Sequence, residues 1–342
     1  MSLEKQPIHN TKCRKDARAA ALKTQEERVT LSFYRYKQIP EPKALRDELF
    51  LNWSALKVLG RVYIAKEGIN AQVSVPKDNV LKFKGAIESY FPAMTYREAV
   101  EEGAPSFSIL AIKVKNKIVA DGLEDFAFDS SDAGRHLSPQ EWNDALGDKD
   151  TIVVDMRNHY ESAVGHFEKA ILPDADTFRE ELPMVRDMLA HKKEAKLLLY
   201  CTGGIRCEKA SAYLKREGFA DVNQLQGGII NYAHQVKELG LDCHYKGKNF
   251  VFDDRLGERI TDDILTTCNI CGTSCDDHTN CSNDVCHVLF IQCHKCQKEL
   301  NGCCSKECKD FIALPHETQK TEAHSFRKQF KSRLRPKIRP TD

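Results

Sequence analysis

Apolar and polar side chains alternate along Val29–Tyr36, which predicts a strand with Phe33 and Arg35 on one face and Tyr34 and Tyr36 on the other. Over residues 42–57 the period lengthens: Leu45, Leu49, Trp53 and Leu56 fall on one side of a helix whose first turn accepts Pro42. Arg61–Ala65 and Ala71–Val75 read as two strands joined by a short turn containing Gly68. Val80, Phe83, Ile87 and Tyr90, spaced by three and four, give a second helix over 77–90, and Phe107–Val114 a closing strand. The order βαββαβ is that of a ferredoxin-like sheet carrying two helices on one face, a unit spanning about 29–120.

A polar connection over 115–137 precedes a second unit, 138–240. It opens on Ser138-Pro139-Gln140-Glu141, a capping box with proline in the first helical position. Short strands at Thr151–Val154, at Lys196–Tyr200, which has almost no polar residue, and at Asp221–Leu225 alternate with helices at about 183–191, 206–217 and 229–239. Strands buried on both faces and interleaved with helices predict an α/β domain with a parallel sheet.

The remainder, 258–312, has few apolar residues beyond Val288–Ile291 and cannot bury much core unaided. Ten of the 14 cysteines of the 342-residue chain lie there, between Cys268 and Cys308. The N-terminus lacks the apolar core of a secretory signal, so a disulfide framework gives way to metal binding or thiol chemistry in a reducing, cytoplasmic setting. No apolar run approaches the roughly 20 residues of a membrane span.

Cys268-x-x-Cys271 and Cys293-x-x-Cys296 are two such pairs separated by 21 residues, the pattern of a zinc site in which each tight turn offers two thiolates. Cys275, Cys281, Cys286, Cys303, Cys304 and Cys308, with His278 and His287 nearby, supply more donors than a second four-ligand site needs, so its ligand set stays open. An iron–sulfur cluster is the alternative to zinc.

Net charge is only +1, yet it is unevenly spread. Residues 1–28 carry +3 and residues 320–342 carry +6, so a basic lead-in (1–28) and a basic tail (313–342) flank a mildly acidic body. Basic ends suit an RNA-binding protein and equally suit solubilising segments.

The sharpest chemistry is Cys201-Thr202-Gly203-Gly204-Ile205-Arg206, directly after one buried strand and before a helix. Ligands of open parallel sheets bind at the carboxyl ends of strands. Two glycines let the backbone curl so that its N–H groups point inward at a helix start, an anion nest in which a sulfur is held as thiolate, with Arg206 as a fixed cation. Cys207 begins the following helix on the face of Ala210, Ser211 and Leu214 and reads as a packed core thiol, with a resolving role as the alternative.

This loop resembles the active loop of the rhodanese family, as DMRNHYESAVGHFEKAI and LQGGIINY resemble its upstream and closing segments. By that resemblance Cys201 is the catalytic cysteine, and Asp155 and Arg157 are internal pairing and loop-supporting residues. Four segments in order, IAKEGINAQVSV, YCTGGIRCEKASAYL, FVFDDRLGERI and the cysteine-rich end, further resemble the oxygen-dependent tRNA uridine hydroxylases across roughly 28–310. That likeness implies 5-hydroxylation of wobble uridine 34, molecular oxygen as co-substrate and the anticodon loop of tRNA as partner. The residues themselves carry no flavin or nicotinamide fingerprint and no 2-His-1-carboxylate pattern. Two other readings stay open: a sulfurtransferase working through a Cys201 persulfide, and a non-catalytic RNA-binding or redox-sensing module.

Overall fold

The computed structural model describes residues 16–18, 26–101, 105–124, 129 and 132–332, so most of the basic lead-in and the last ten residues of the basic tail lie outside the described residues. Among the described residues, no helix is long and apolar enough to cross a membrane.

The first unit comprises β1 (Arg28–Tyr36), α1 (Pro42–Ala55), β2 (Leu59–Ala65), β3 (Gly68–Pro76), α2 (Val80–Glu88), β4 (Arg97–Glu98) and β5 (Leu110–Val114). Its sheet runs β4-β1-β3-β2-β5. The fourth strand of the ferredoxin-like pattern is therefore Arg97–Glu98, antiparallel to β1, and not the predicted Phe107–Val114. That later segment forms a fifth strand parallel to β2 on the opposite edge. A two-residue strand is too short for alternation to reveal it. The predicted helix over 77–90 is a 3₁₀ turn at Lys77–Asn79 running into α2. Leu31 and Phe33 turn inward with Leu49, Trp53, Phe83 and Ile87 to form the core under the helices. Trp53 packs edge-on against Phe83 at 5.0 Å and against Phe33 at 6.4 Å.

The second unit contains β6 (Arg135–Leu137), α3 (Pro139–Leu146), β7 (Ile152–Asp155), α4 (His159–Ser162), β8 (Gly165–Phe167), α5 (Phe178–Met188), β9 (Lys196–Tyr200), α6 (Ile205–Arg216), β10 (Asp221–Leu225) and α7 (Gly228–Leu239). Its central sheet is parallel in the order β6-β10-β9-β7, with β6 an addition to the three predicted strands. The Ser138 hydroxyl and Glu141 carboxylate cap α3 reciprocally, as the capping-box signature predicts. Helix α5 begins at Phe178, five residues before the predicted start, because Pro183 sits inside the helix and not at its first turn. Val154, Leu197 and Leu199 pack beneath α5 and α6, while Val153, Leu198 and Tyr200 pack beneath α3 and α7. Both sheet faces are thus covered, and β9 ends deep inside the domain.

Beyond α7, β11 (Tyr245–Asn249) pairs with β8 and with β12 (Glu258–Arg259) in a small antiparallel sheet. The cysteine-rich part follows as a hairpin of β13 (His278–Asn280) and β14 (Leu289–Ile291), then α8 (His294–Glu299), α9 (Lys306–Ile312) and α10 (His316–Ser332). Only Phe290 and Ile291 of its apolar run are fully buried.

Candidate active site

At the end of β9 the chain turns through Cys201–Gly203 into Gly204, whose φ of +95° starts α6. The turn brings the Gly204 N–H to 3.1 Å from Cys201 Sγ, to which it donates. Burial alone would push the Cys201 thiol up, but the Cys207 thiol, the Arg206 guanidinium and the backbone N–H groups of Cys207 and Arg206 outweigh it and bring it down to about 5. The sulfur is therefore a thiolate at neutral pH. The second pair of glycines clamps this loop from outside. The N–H groups of Ile229 and Ile230 donate to the carbonyls of Cys201 and Thr202 at 3.0 and 3.2 Å. Gly228 has φ +67°, and a Cβ there would meet the Cys201 carbonyl oxygen at 2.5 Å.

Arg206 does not stand as a lone cation. Its two terminal nitrogens donate to the Glu161 carboxylate at 2.6 and 2.8 Å in a buried fork, and Nη2 also donates to Thr202 Oγ1 at 3.3 Å. Glu161 is held in turn by the Asn158 N–H at 3.1 Å, its capping-box partner on α4. The sequence reading missed Glu161, although Asn158-x-x-Glu161 is a legible capping signature. Asp155 and Arg157 form a second buried fork at 2.6–2.8 Å. Arg157 extends it to the Gly165 carbonyl at 2.6 Å and the Tyr245 hydroxyl at 3.3 Å, so its bonds tie β7 to β8 and β11 and not to the Cys201 loop. Cys207 is fully buried, and burial drives its thiol well up, as for a core residue.

Glu181 on α5 was not singled out by sequence either. It is fully buried, neither carboxyl oxygen has a partner among the described residues, and burial holds it well above the usual carboxylate range. It is a buried acid, held toward its uncharged form beside the charged groups of the loop.

Cys201 lines a cavity of about 330 Å³ between the two units, at the low end of the roughly 300–1,000 Å³ typical of small-ligand sites. The first unit supplies the facing wall through β1, β2 and β3, and Val251–Arg255 closes one side. Tyr34 and Tyr36, on the outward face of β1 as alternation requires, cross to the second unit: the Tyr34 hydroxyl donates to Glu208 at 2.8 Å and the Tyr36 hydroxyl to the Ile205 carbonyl at 3.2 Å. Arg97 reaches from β4 to the Gly227 carbonyl at 3.0 Å, its guanidinium 4.9 Å from the Tyr34 ring centre. Arg255 forks onto Asp253 and bonds Glu258 at 2.7 Å, which accepts from the Val100 N–H at 3.1 Å.

Away from this cavity, the sulfurs of Cys268, Cys271, Cys293 and Cys296 lie within 4.8 Å of one another, as do those of Cys281, Cys286, Cys304 and Cys308. Cys275 and Cys303 fall outside both tetrads, and so do His278 and His287. Half-buried His278 packs edge-on against Phe250 at 4.9 Å. Cys268, Cys293 and Cys296 of the first tetrad share a cluster with Tyr160, Ala163 and Val164, the neighbours of Glu161.

Three family models match the chain: a UPF0176 acylphosphatase like domain over residues 28–118, a rhodanese-like domain over 138–235, and a rhodanase C-terminal model over 246–309. A tRNA uridine(34) hydroxylase of Leptospira interrogans is 50% identical over 98% of this chain and 93% of its own length. One from Cronobacter sakazakii is 49% identical over 92% of this chain and 90% of its own. The crystal structure of a rhodanese-like domain protein from Staphylococcus aureus aligns at 25% identity over 29% of this chain and 90% of that one, with a TM-score of 0.25.

Proposed function

The chain belongs to the tRNA uridine(34) hydroxylase family, and from that premise we propose how its own residues perform the reaction. It is an oxidoreductase that hydroxylates uridine 34 of tRNA. The finer reading is hydroxylation at C5 of the wobble base in the anticodon loop, with molecular oxygen as co-substrate. A single-stranded loop lets the base leave its stack and enter a cavity, a step that is costly in a duplex. The tRNA substrate supports a cytoplasmic site of action.

One observation carries the mechanism: Cys201 is a thiolate on the wall of an inter-domain cavity. Its sulfur adds to C6 of the uracil, and the C5=C6 electron pair moves through C4 onto O4. C5 then becomes the nucleophilic carbon of an enolate and bonds to one atom of the oxygen co-substrate, which stays as the C5 hydroxyl, while the other atom leaves as water on taking two electrons from an external reductant and two protons. Loss of the C5 proton afterwards expels the thiolate from C6 and restores the double bond. Among the four arginines on the cavity wall, Arg206 and Arg255 are paired with carboxylates, whereas Arg61 and Arg97 donate to the carbonyls of Phe252 and Gly227. The latter two keep their charge for the phosphates that flank the flipped nucleotide.

Each cysteine tetrad suits one zinc ion. Four thiolates about 2.3 Å from a tetrahedral centre stand about 3.8 Å apart, and the Cys271–Cys293, Cys286–Cys304 and Cys304–Cys308 sulfur pairs are separated by 3.6, 3.7 and 3.6 Å. A multi-iron cluster would spread them further. The ion would act as a structural crosslink in a part of the chain with little core.

The test is nucleoside mass spectrometry of tRNA from cells lacking the gene, complemented with wild-type protein or Cys201→Ser. Restoration of 5-hydroxyuridine by wild type alone is expected. Restoration by the serine variant rejects the covalent role of Cys201.

A further inference from the structure

The wall opposite Cys201 has a regular construction of which the mechanism above uses only Arg61. In the register of the first sheet, Gln72 on β3 lies across from Ser32 on β1 and Arg61 on β2, while Asn70 lies across from Tyr34 and Tyr63. All six line the cavity, so the face turned to the thiolate is two polar rungs, each three strands wide. β3 is the middle strand of the three, which puts Asn70 and Gln72 at the centre of this wall.

Both central residues are carboxamides with capacity to spare. Asn70 Nδ2 donates to the Ile118 carbonyl at 3.3 Å, which fixes the amide's orientation and leaves Oδ1 an acceptor with no partner among the described residues. Gln72 carries no side-chain hydrogen bond to any described residue, and the buried Ser32 hydroxyl beside it is likewise without a partner. Unpaired amides facing a cavity are what reading a base edge requires, because flipped bases are identified through hydrogen bonds to their pairing edge.

We infer that Asn70 and Gln72 form the reading edge for the flipped pyrimidine, with Asn70 Oδ1 accepting from N3–H and the Gln72 amide donating to a uracil carbonyl. This assignment rests on the proposed hydroxylation of uridine 34 and adds the residues that select the base. Two consequences follow from ring geometry alone. In uracil, C6 is para to N3, so a base with N3 against β3 directs C6 at the opposite wall, where Cys201 lies. In cytosine N3 is a bare acceptor, and against Asn70 Oδ1 it sets lone pair against lone pair. Asn70 is therefore a specificity-determining residue, and it also presents C6 to the nucleophile.

Binding of anticodon stem-loops to the full chain carrying Cys201→Ser separates recognition from turnover. That protein is expected to bind a U34 loop at least about ten-fold more tightly than an otherwise identical C34 loop, the size of one oriented hydrogen bond. A loop with 3-methyluridine at position 34 is expected to bind no better than C34. Adding Asn70→Ala is expected to cut the U34 preference below about three-fold, and adding Gln72→Ala to weaken U34 binding about ten-fold, with melting temperatures close to the parent. If Asn70→Ala impairs folding, the Gln72 variant carries the test. An enzyme that leaves U34 unmodified in tRNA defeats the underlying reading. One that hydroxylates U34, while folded Asn70→Ala and Gln72→Ala variants bind with undiminished preference and affinity, overturns the reading-edge assignment alone.

Discussion

Glu67, in the tight turn of the first unit's hairpin, pairs with the buried ammonium of Lys209 on the helix that follows the Cys201 loop, Oε2 and Nζ lying 2.9 Å apart. Asp121 completes the site from the connecting segment, and Glu67 Oε1 accepts from the Ile118 N–H at 2.6 Å. One charge cluster therefore locks together the two units that enclose the cavity, and the KEGIN segment contributes a brace.

Removing that brace with Glu67→Ala leaves Lys209 with Asp121 and is expected to cost about 1–3 kcal/mol, the worth of hydrogen bonds to a charged group. Urea unfolding checks the cost. Looser packing of the units should also raise the alkylation rate of Cys201, measured on its own peptide by mass spectrometry.

Two carboxyls near the loop should respond to the same substitution with costs of very different size. Glu161→Gln removes the partner of a buried guanidinium and is expected to cost about 3–5 kcal/mol. Glu181→Gln puts an uncharged amide where burial already favours the uncharged acid and is expected to change stability by less than about 1 kcal/mol. Thermal and urea melts of both variants at neutral pH decide this.

Arg61 and Arg97 are expected to contribute to tRNA affinity through phosphates. Alanine at either position should weaken binding of the anticodon stem-loop and lower the slope of log K against log salt by about 0.7, the value for one phosphate contact on a single strand. An unchanged slope would remove that residue from the phosphate set.

Elemental analysis should find two zinc ions per chain and colourless protein. Cys271→Ser is expected to lose one ion and Cys304→Ser the other, whereas Cys275→Ser and Cys303→Ser keep both. Because the first tetrad packs on the segment that carries Glu161, its loss should also lower hydroxylation.

Much of this was legible along the chain because it is local. Cys201–Arg206 carries its nest, its helix start and its cation in six consecutive residues, and β9 falls where the apolar run Leu197–Tyr200 demanded a buried strand. What escaped is what folding brings from afar. Glu161 lies 45 residues from Arg206, and Glu67 lies 142 from Lys209. Alternation separated Tyr34 from Phe33 correctly, but the sequence has no mark saying that the tyrosine face meets a second domain. Glu181 was lost with the first turn of α5, behind a proline that normally announces a helix start. Six cysteines competed for the second tetrad, and only the hairpin β13–β14 with α9 selects Cys281, Cys286, Cys304 and Cys308.

The pH dependence of Cys201 alkylation by iodoacetamide, followed on that peptide, tests the thiolate most directly. Folding lowers this thiol, so its charged form is present above an ordinary thiol's range and persists downward until the pH falls through about 5. The rate should be half-maximal near pH 5 and level from pH 7 upward. A rate that instead climbs through roughly pH 8–9, as for an unperturbed thiol, would contradict the account.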